Sequence, residues 1–529
     1  MLSPADLQIA HHRLAAIAEE MGIALCRSAF SPNIKERRDY SCAVFDADGA
    51  LVAQAAHIPV HLGSTPLSVR AAIERRPMGP GDVVVLNDPY AGGTHLPDVT
   101  VVAPVHVRGR LAGYVANRAH HADIGGMSPG SMPLASEIYQ EGFRLPPVRL
   151  VRGGVIDDDV LQLFLANTRV AAERRGDLLA QLAALRVGAA RLTDFVGRAG
   201  ASGARRAMTA LQDYSERLTR AALRTLPRGT WRARDVLDDD GLGAVDIPIA
   251  AAVRLGGGRA TVDFAGSGAQ VSGGVNANFA VTLAAVYYVF RTLIGHDVPT
   301  NAGFMRPIAV RAPEGSVVNA RFPAAVAGGN VETSQRIVDV VLAALARALP
   351  ARIPAASSGT MNNLAVGGTW RRPGERAAVQ FSYYETIGGG AGAGPRGRGC
   401  DAVHTHMTNT LNTPVEALEA DLPVRVVRYA VRGGSGGRGR YRGGDGIVRE
   451  IEFLAPAHVT LLTERRRSRP PGAAGGGPGA AGRNELTRGR RTSALPAKAS
   501  LAVQPGDRIR LSTPGGGGWG APRRKRRRP

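Results

Sequence analysis

Two apolar runs, Val99 to Val107 and Leu111 to Ala119, are separated only by Arg108-Gly109-Arg110. So short a connection commits them to an antiparallel hairpin, because parallel neighbours need a long crossover. With the turn centred on Gly109, Asp98 falls opposite His120. His95 precedes this pair on the entering loop, and His121 and Asp123 follow it. Directly opposed residues have Cβ atoms about 4.5–5.5 Å apart. Asp98 and His120 are then near enough to reach one divalent ion, with His95 approaching from the loop and His121 turned to the other sheet face. A register shifted by one residue would exchange His121 for His120. Imidazole and carboxylate without thiolate suit zinc or manganese, and positions left for water or substrate would make the site catalytic. The competing reading is that His and Asp at strand ends merely hydrogen-bond loop backbone.

The remainder of the chain fits around that hairpin. Ser3-Pro4-Ala5-Asp6 reads as a capped helix start, with Leu14, Ile17 and Met21 as its apolar stripe. Cys42 to Phe45, the turn Asp46-Ala47-Asp48-Gly49, and Leu51 to Ala55 read as a second hairpin. Val83 to Leu86 is a further strand, and Pro104 marks an edge or a bulge. Helical periodicity dominates from Asp157 to Leu226, and strands resume near Val245 to Phe264. Helices are expected around Asn278 to Ile294 and Thr333 to Leu349, with strand and glycine loop beyond Pro423. Segregated helices and hairpins without alternating βαβ order predict an α+β fold, multi-layered and mixed, with a glycine-rich β region at its C-terminal end. At 529 residues the length suits several domains. The expected divisions are an N-terminal α+β region with the metal site (1–156), a helical region (157–230), a central α+β region (231–422), a C-terminal β and glycine-loop region (423–522) and a basic tail (523–529).

The charge of +22 raises the question of nucleic acid. The basic runs, Arg465 to Arg491 and Arg523 to Arg528, lie in Gly/Ala/Pro text without interleaved aromatics, so they read as solvated, mobile chain rather than a base-stacking platform. A nucleic-acid-binding protein using the tail remains the alternative of another class. No apolar stretch approaches the roughly 20 residues of a membrane helix, and no secretory signal is visible. Three scattered cysteines offer neither a disulfide framework nor a thiolate zinc site. The cytoplasm is therefore the expected location. The three lysines are preceded by Ile34, Ala497 and Arg524, so no Walker A loop exists and any nucleotide must be handled elsewhere. Gly433 to Gly437 matches G-x-S-x-G but lacks the following helix of a nucleophile elbow. Gly328 to Gln335, with Asn330, Glu332, Ser334 and Gln335, opens a helix whose free N–H groups could hold an anion; plain capping is the other reading.

Read together, these segments resemble the hydantoinase B/oxoprolinase family over about Ser3 to Pro522. The strings that carry the likeness include ERRDYSCAVFDADGALVAQAAHIPVHLGS, NDPYAGGTHLPDVTVVAPV, AHHADIGG, GGNVETSQRI, YYETIGGGAGA, THMTNTLNTPVEALE, LLTERR and TPGGGGWG. The resemblance implies a bound divalent metal held by Asp39, His95, Asp98 and His120, which adds Asp39 and prefers His120 over His121. His121, Asp123, Asn330, Glu332, Ser334 and Gln335 are the candidate substrate contacts, and the catalytic acid or base is left unassigned. The resemblance also implies a partner, an actin-like, ATP-binding hydantoinase A-type subunit that phosphorylates a cyclic amide, in a hetero-oligomer. The implied activity is hydrolysis of cyclic amide C–N bonds: attack by water at the metal would open the phosphorylated ring. Subunits of acetone and acetophenone carboxylases share the likeness, and no residue separates the two reactions.

Overall fold

The computed structural model describes residues 3–55, 58–295, 298–371, 374 and 376–522; the expected basic tail lies outside them. The helix Pro4–Ser28 starts as its sequence requires. Ser3 Oγ accepts the Asp6 N–H at 3.1 Å while the Asp6 carboxylate reaches back to Ser3. Leu14, Ile17 and Met21 are buried, and this stripe meets the 29-residue helix Ala171–Ala199.

Both helices cover one face of a seven-stranded antiparallel sheet. Its order is Leu51–Gln54, Tyr40–Asp46, Arg110–His120, Asp98–Val107, Val83–Leu86, Val148–Arg152 and Val155–Ile156. The helix Thr65–Arg75 packs on the opposite face through Val69 and Ala72. Strand alternation sends Val99 and Val101 to one core and Val102 to the other, so both faces are buried.

The hairpin has a tighter tip than the sequence suggests. Val107 pairs with Arg110 around Arg108-Gly109, one residue out of the expected register. Both turn residues have positive φ, 51° and 75°, the geometry that matches strand twist in a two-residue connection. A bulge between Val105 and His106 restores the register, and Asp98 faces His120. Pro104 lies beyond the stretch of its strand that pairs with Val83–Leu86, so its missing N–H leaves no ladder bond unmade on that side.

A second sheet, in the order Ile308–Arg311, Arg259–Asp263, Val245–Gly256 and Gly229–Asp239, packs against the helices Phe279–Ile294 and Ser334–Ala348. The strand at Gly229–Asp239 begins earlier than expected. Its outward residues are Arg232, Arg234 and similar polar groups, which hide the strand among charged text. A third sheet joins Val379–Glu385 and Asn363–Trp370 to Ala457–Leu462 and Lys498–Val503, so one sheet draws strands from both sides of the expected 422/423 boundary. The fourth holds Val424–Arg432, Gly446–Phe453, Arg508–Ser512, Arg483–Arg488 and Arg491–Leu495. The α+β expectation holds, with mainly antiparallel sheets, the pair Arg259–Asp263 and Ile308–Arg311 alone running parallel among the described strands, and with segregated helices.

Glycine text between these strands is not loose loop. Segments around 388–400, 433–445, 470–482 and 513–520 hydrogen-bond to one another mainly through backbone. Gly516 N–H donates to Gly444 O at 2.9 Å, Gly437 N–H to Gly516 O at 2.8 Å and Gly518 N–H to Gly477 O at 2.9 Å. A Cβ on Gly516 would stand 2.0 Å from the Ala391 carbonyl oxygen, so the approach exists only because the side chain is a hydrogen. Ser435 sits in this braid, donating to the Arg432 carbonyl at 2.8 Å, as the glycine-loop reading expects.

The stretch Arg465 to Arg491 corrects the expectation of solvated, mobile chain. Arg465 is 1% exposed, with Nη2 2.7 Å from Asp235 Oδ2 and 3.0 Å from Asp339 Oδ2. Arg483–Arg488 is an interior strand of the fourth sheet. Opposed carboxylates and backbone pairing, both supplied from distant sequence, order this basic glycine-rich text and bury Arg465, while Arg467, Arg469, Arg483, Arg488, Arg490 and Arg491 stay exposed as expected. No described helix is long and apolar enough to cross a membrane.

Candidate functional site

Asp98 is the hub of the polar cluster at the open end of the hairpin. It is 1% exposed, and its Oδ2 lies 3.4 Å from His95 Nε2 and 3.4 Å from His61 Nε2. Thr94 Oγ1 donates to the same oxygen in a short hydrogen bond. The rings of His95 and His120 have centroids 4.9 Å apart. Asp39 joins from just before the neighbouring strand, where its carbonyl accepts the His120 N–H at 3.0 Å. Its carboxylate lies where the charges of Asp98, His61 and His95 act on it. The four residues expected as a set, Asp39, His95, Asp98 and His120, are brought together.

His61 is the member that sequence reasoning missed. It lies within a short turn of 3₁₀ helix, Pro59–His61, with Nδ1 2.8 Å from Ser41 Oγ. The string IPVHLGS contained it, but a lone histidine far from the hairpin gives no spacing to argue from. Its carbonyl is fixed by Thr65 Oγ1 at 3.0 Å. Arg118 anchors the same region from inside the sheet, donating to Thr100, Ser64 and Ser68 hydroxyls.

The electrostatics follow from burial and proximity. Burial pushes Asp98 up, but the charges of His95 and His61 outweigh it and hold the carboxyl well below the ordinary range. Burial raises Asp39 despite Arg37. Burial and the neighbouring His95 drive His120 well below the usual imidazole value, so it stands neutral, as a ligand must. Several buried atoms here have no hydrogen-bond partner: His61 Nε2, both ring nitrogens of His95, Asp98 Oδ1 and His120 Nε2. Such a concentration of orphaned polar atoms is costly unless something else satisfies them. Among the described residues, no three His, Cys, Asp or Glu side chains form a ready coordination group. The 3.4 Å separation of His95 Nε2 and Asp98 Oδ2 nevertheless matches one edge, about 3.4 Å, of a tetrahedral shell with bonds of about 2.1 Å.

The remaining expected contacts divide. His121 turns to the other face, where Nε2 lies 3.0 Å from Gln181 Oε1 and the ring meets Phe164 edge-on. Asp123 accepts from Gly125, Gly130 and Arg169 N–H groups and from Ser382, so it clamps a loop. Ser334 caps back onto the Asn330 carbonyl at 2.6 Å, and Gln335 donates to Thr405 O at 3.0 Å. Glu332 reaches the cluster through intermediaries. Its Oε1 accepts from Asn363 Nδ2 at 2.7 Å, Asn363 Oδ1 accepts from Tyr384 Oη at 2.6 Å, and the Tyr384 ring stacks on His120 with centroids 4.6 Å apart. Burial and nearby Glu464 push Glu332 up to about 8.

Of the two readings of Gly328 to Gln335, an anion site or plain capping, the donors at Gly329 and Asn330 favour the second. The Gly329 N–H donates to Gly274 O and the Asn330 N–H to Val326 O. Just upstream, Glu141 Oε1 takes the N–H groups of Val326 and Ala327 at 2.7 and 2.8 Å. The chain supplies its own carboxylate from nearly two hundred residues away. Burial pushes Glu141 up to about 8 against those two donors, from an ordinary value of 4.5. A raised folded-state pKa means that the stability this group contributes is full below about 4.5 and lost as pH rises towards about 8. Glu141→Gln keeps the acceptor oxygen and removes the titration. We expect thermal unfolding to show the variant equal to wild type near pH 4.5 and more stable near pH 9, by on the order of a few kcal/mol.

Comparison with known proteins matches residues 3–522 to the family model described as hydantoinase B/oxoprolinase. The chain is 40% identical to 5-oxoprolinase 1 of Arabidopsis thaliana over 98% of its own length but only 42% of that protein's, so it spans about two-fifths of that relative. It is 31% identical to the putative B component of a D-/L-hydantoinase from Pseudomonas sp. strain NS671, covering 98% and 90% of the two chains. The crystal structure of the ATP-dependent caprolactamase from Pseudomonas jessenii superposes with a TM-score of 0.91 at 30% identity, over 98% of this chain and 92% of that one.

Proposed function

Because the chain belongs to the hydantoinase B/oxoprolinase family, we propose that it is the ring-opening component of an ATP-dependent cyclic amide hydrolase. Its partner would be an A-type subunit that phosphorylates the amide oxygen; one relative is named as a single component of a hydantoinase, which supports such a division. The observation that carries the reading is the group of orphaned nitrogen and oxygen atoms converging around Asp98. Asp39, His95, Asp98 and His120 would hold one zinc or manganese ion. Such an ion supplies Lewis-acid stabilisation of developing oxyanion charge and lowers the pKa of water.

The chain's own residues prepare that site. Thr94 fixes one Asp98 oxygen, leaving Oδ1 without a protein partner. Asn33 Nδ2 stands 3.1 Å from His120 Nδ1, and Asn33 Oδ1 has no partner. Exchanging the two ends of this amide lets Nδ1–H donate to Oδ1 and presents the Nε2 lone pair to the cluster. Tyr384, held by Asn363, stacks on the same ring and fixes its plane. Burial of the whole group excludes competing water and strengthens every dipole within it.

Co-purification with an A-type partner, elemental analysis, and an ATP-dependent assay on hydantoin or 5-oxoproline test the proposal. The expected result is a bound divalent metal and ring opening only with both proteins and ATP. Turnover by the isolated chain without ATP would instead mark a self-sufficient amidohydrolase.

A further inference from the structure

A cavity of about 860 Å³ lies beside the last turn of the helix Phe279–Ile294 and shares no lining residue with the cluster around Asp98. Two tight turns bring arginines to it. Just past the helix Ser334–Ala348, the Arg352 N–H donates to Leu349 O at 2.9 Å, and Arg352 Nη2 donates to Leu293 O at 2.9 Å. That bond fixes the guanidinium through one corner and leaves the rest of its fork unengaged among the described residues. In the second turn the Gly394 N–H donates to Gly397 O at 3.0 Å, which puts the exposed Arg396 at the tip. Arg398 follows, paired with Asp401 at 2.5 Å. Among the described residues no carboxylate lines the cavity. Tyr288, Leu293, Leu342 and Ile353 supply apolar wall. His406, its side chain 9% exposed, adds a buried imidazole with Nε2 3.5 Å from Asp339. Asp339 is itself held by Arg465, so its charge is already met on the far side of that ring.

We propose that this cavity binds an organic phosphate, with its dianionic group on Arg352 and Arg396 and its carbon skeleton against Tyr288, Leu293 and Ile353. A cleft lined by one sign of charge over low-dielectric walls concentrates counter-ions. Once Asp401 offsets Arg398, two guanidiniums remain uncompensated there. Each arrives on a separate turn and can present its own fork. A phosphate monoester offers three terminal oxygens and close to two negative charges at pH 7, which both forks can share. A carboxylate has two oxygens and a single charge, which one fork already answers. The volume exceeds what bare phosphate fills and is within the range of small-molecule sites, and the apolar walls call for a body on the ester. A nucleotide and a smaller phosphate ester share this chemistry.

Calorimetric titration of the full chain with phenyl phosphate, AMP, inorganic phosphate and benzoate, at physiological ionic strength, tests the assignment. One phenyl phosphate or AMP per chain should bind, at least about tenfold more tightly than inorganic phosphate or benzoate. The tighter of the two esters tells a nucleotide from a smaller phosphate. Arg396→Gln and Arg352→Gln should each weaken that binding about tenfold or more. Arg396 is at an exposed turn tip, so its variant keeps the test open if Arg352→Gln, which gives up the bond to Leu293, fails to fold. The whole chain carries a charge of +22, so general attraction for anions is measured with Arg425→Gln, at an exposed arginine of the fourth sheet; this variant should bind as the wild type does. No ester bound, benzoate or inorganic phosphate bound equally well, unaltered binding in Arg396→Gln, or an equal loss in Arg425→Gln each overturns the assignment.

Discussion

His95→Ala is expected to leave the chain folded, empty of divalent metal, and inactive in ring opening. His95 contributes two orphaned ring nitrogens to a cluster in which His61 Nε2, Asp98 Oδ1 and His120 Nε2 are also without a hydrogen-bond partner. Truncation removes a ligand and leaves Asp98 with His61 as its remaining imidazole neighbour at 3.4 Å. Loss of several kcal/mol of transition-state stabilisation corresponds to a rate loss on the order of a thousandfold or more. ATP hydrolysis by the partner should persist in part, because the phosphorylation step belongs to another active site. Elemental analysis, a ring-opening assay and an ADP-release assay on the same preparation separate the three quantities. Full activity without metal would remove the basis of the proposed chemistry.

Arg465→Ala is expected to be the most damaging single substitution for stability. The guanidinium bridges Asp235 and Asp339, and Asp339 also faces Arg336 at 3.8 Å and His406 at 3.5 Å. Its removal leaves the buried Asp339, and the part-exposed Asp235, with their nearest cation gone. Breaking a buried pair from one side costs about 3–5 kcal/mol. The loss should appear as a lower denaturation midpoint and poorer soluble yield. Arg465→Lys should recover only part of it, since both carboxylates meet the terminal Nη2 and the shorter lysine side chain carries its nitrogen short of that point. A variant that melts with the wild type would show that the network contributes nothing net.

These two residues also mark what the sequence can and cannot disclose. The Asp98–His120 pairing beside His95 was legible because two apolar runs of similar length flank one turn, and a strand's two-residue period turns that symmetry into a facing pair. The actual tip departs from symmetry, yet the bulge after Val105 cancels the error. His61 was not legible. Its place beside Asp98 depends on how the segment after Leu51–Gln54 folds back over the sheet, and nothing local records that. Arg465 looked like solvated chain because Gly, Ala, Pro and Arg compose surface tails and buried braids alike. Only the distant Asp235 and Asp339 distinguish them. Around Gly328 to Gln335 a helix was legible, but the donors at its entry are answered by the chain itself: Val326 and Ala327 by Glu141, and Gly329 by the distant Gly274 carbonyl.

The bulge between Val105 and His106 has a practical corollary. It decouples the outer tip of the hairpin from its inner end, so changes in loop length at Arg108-Gly109 need not propagate as a slip. About ten residues of strand, roughly 33 Å at the usual rise per residue, separate that tip from Asp98, and no neighbouring atom lies within 4 Å of where a Gly109 side chain would begin. The tip is therefore a natural attachment point for a fluorophore or an affinity peptide, giving a handle for following assembly with another protein without disturbing the chemistry at the far end.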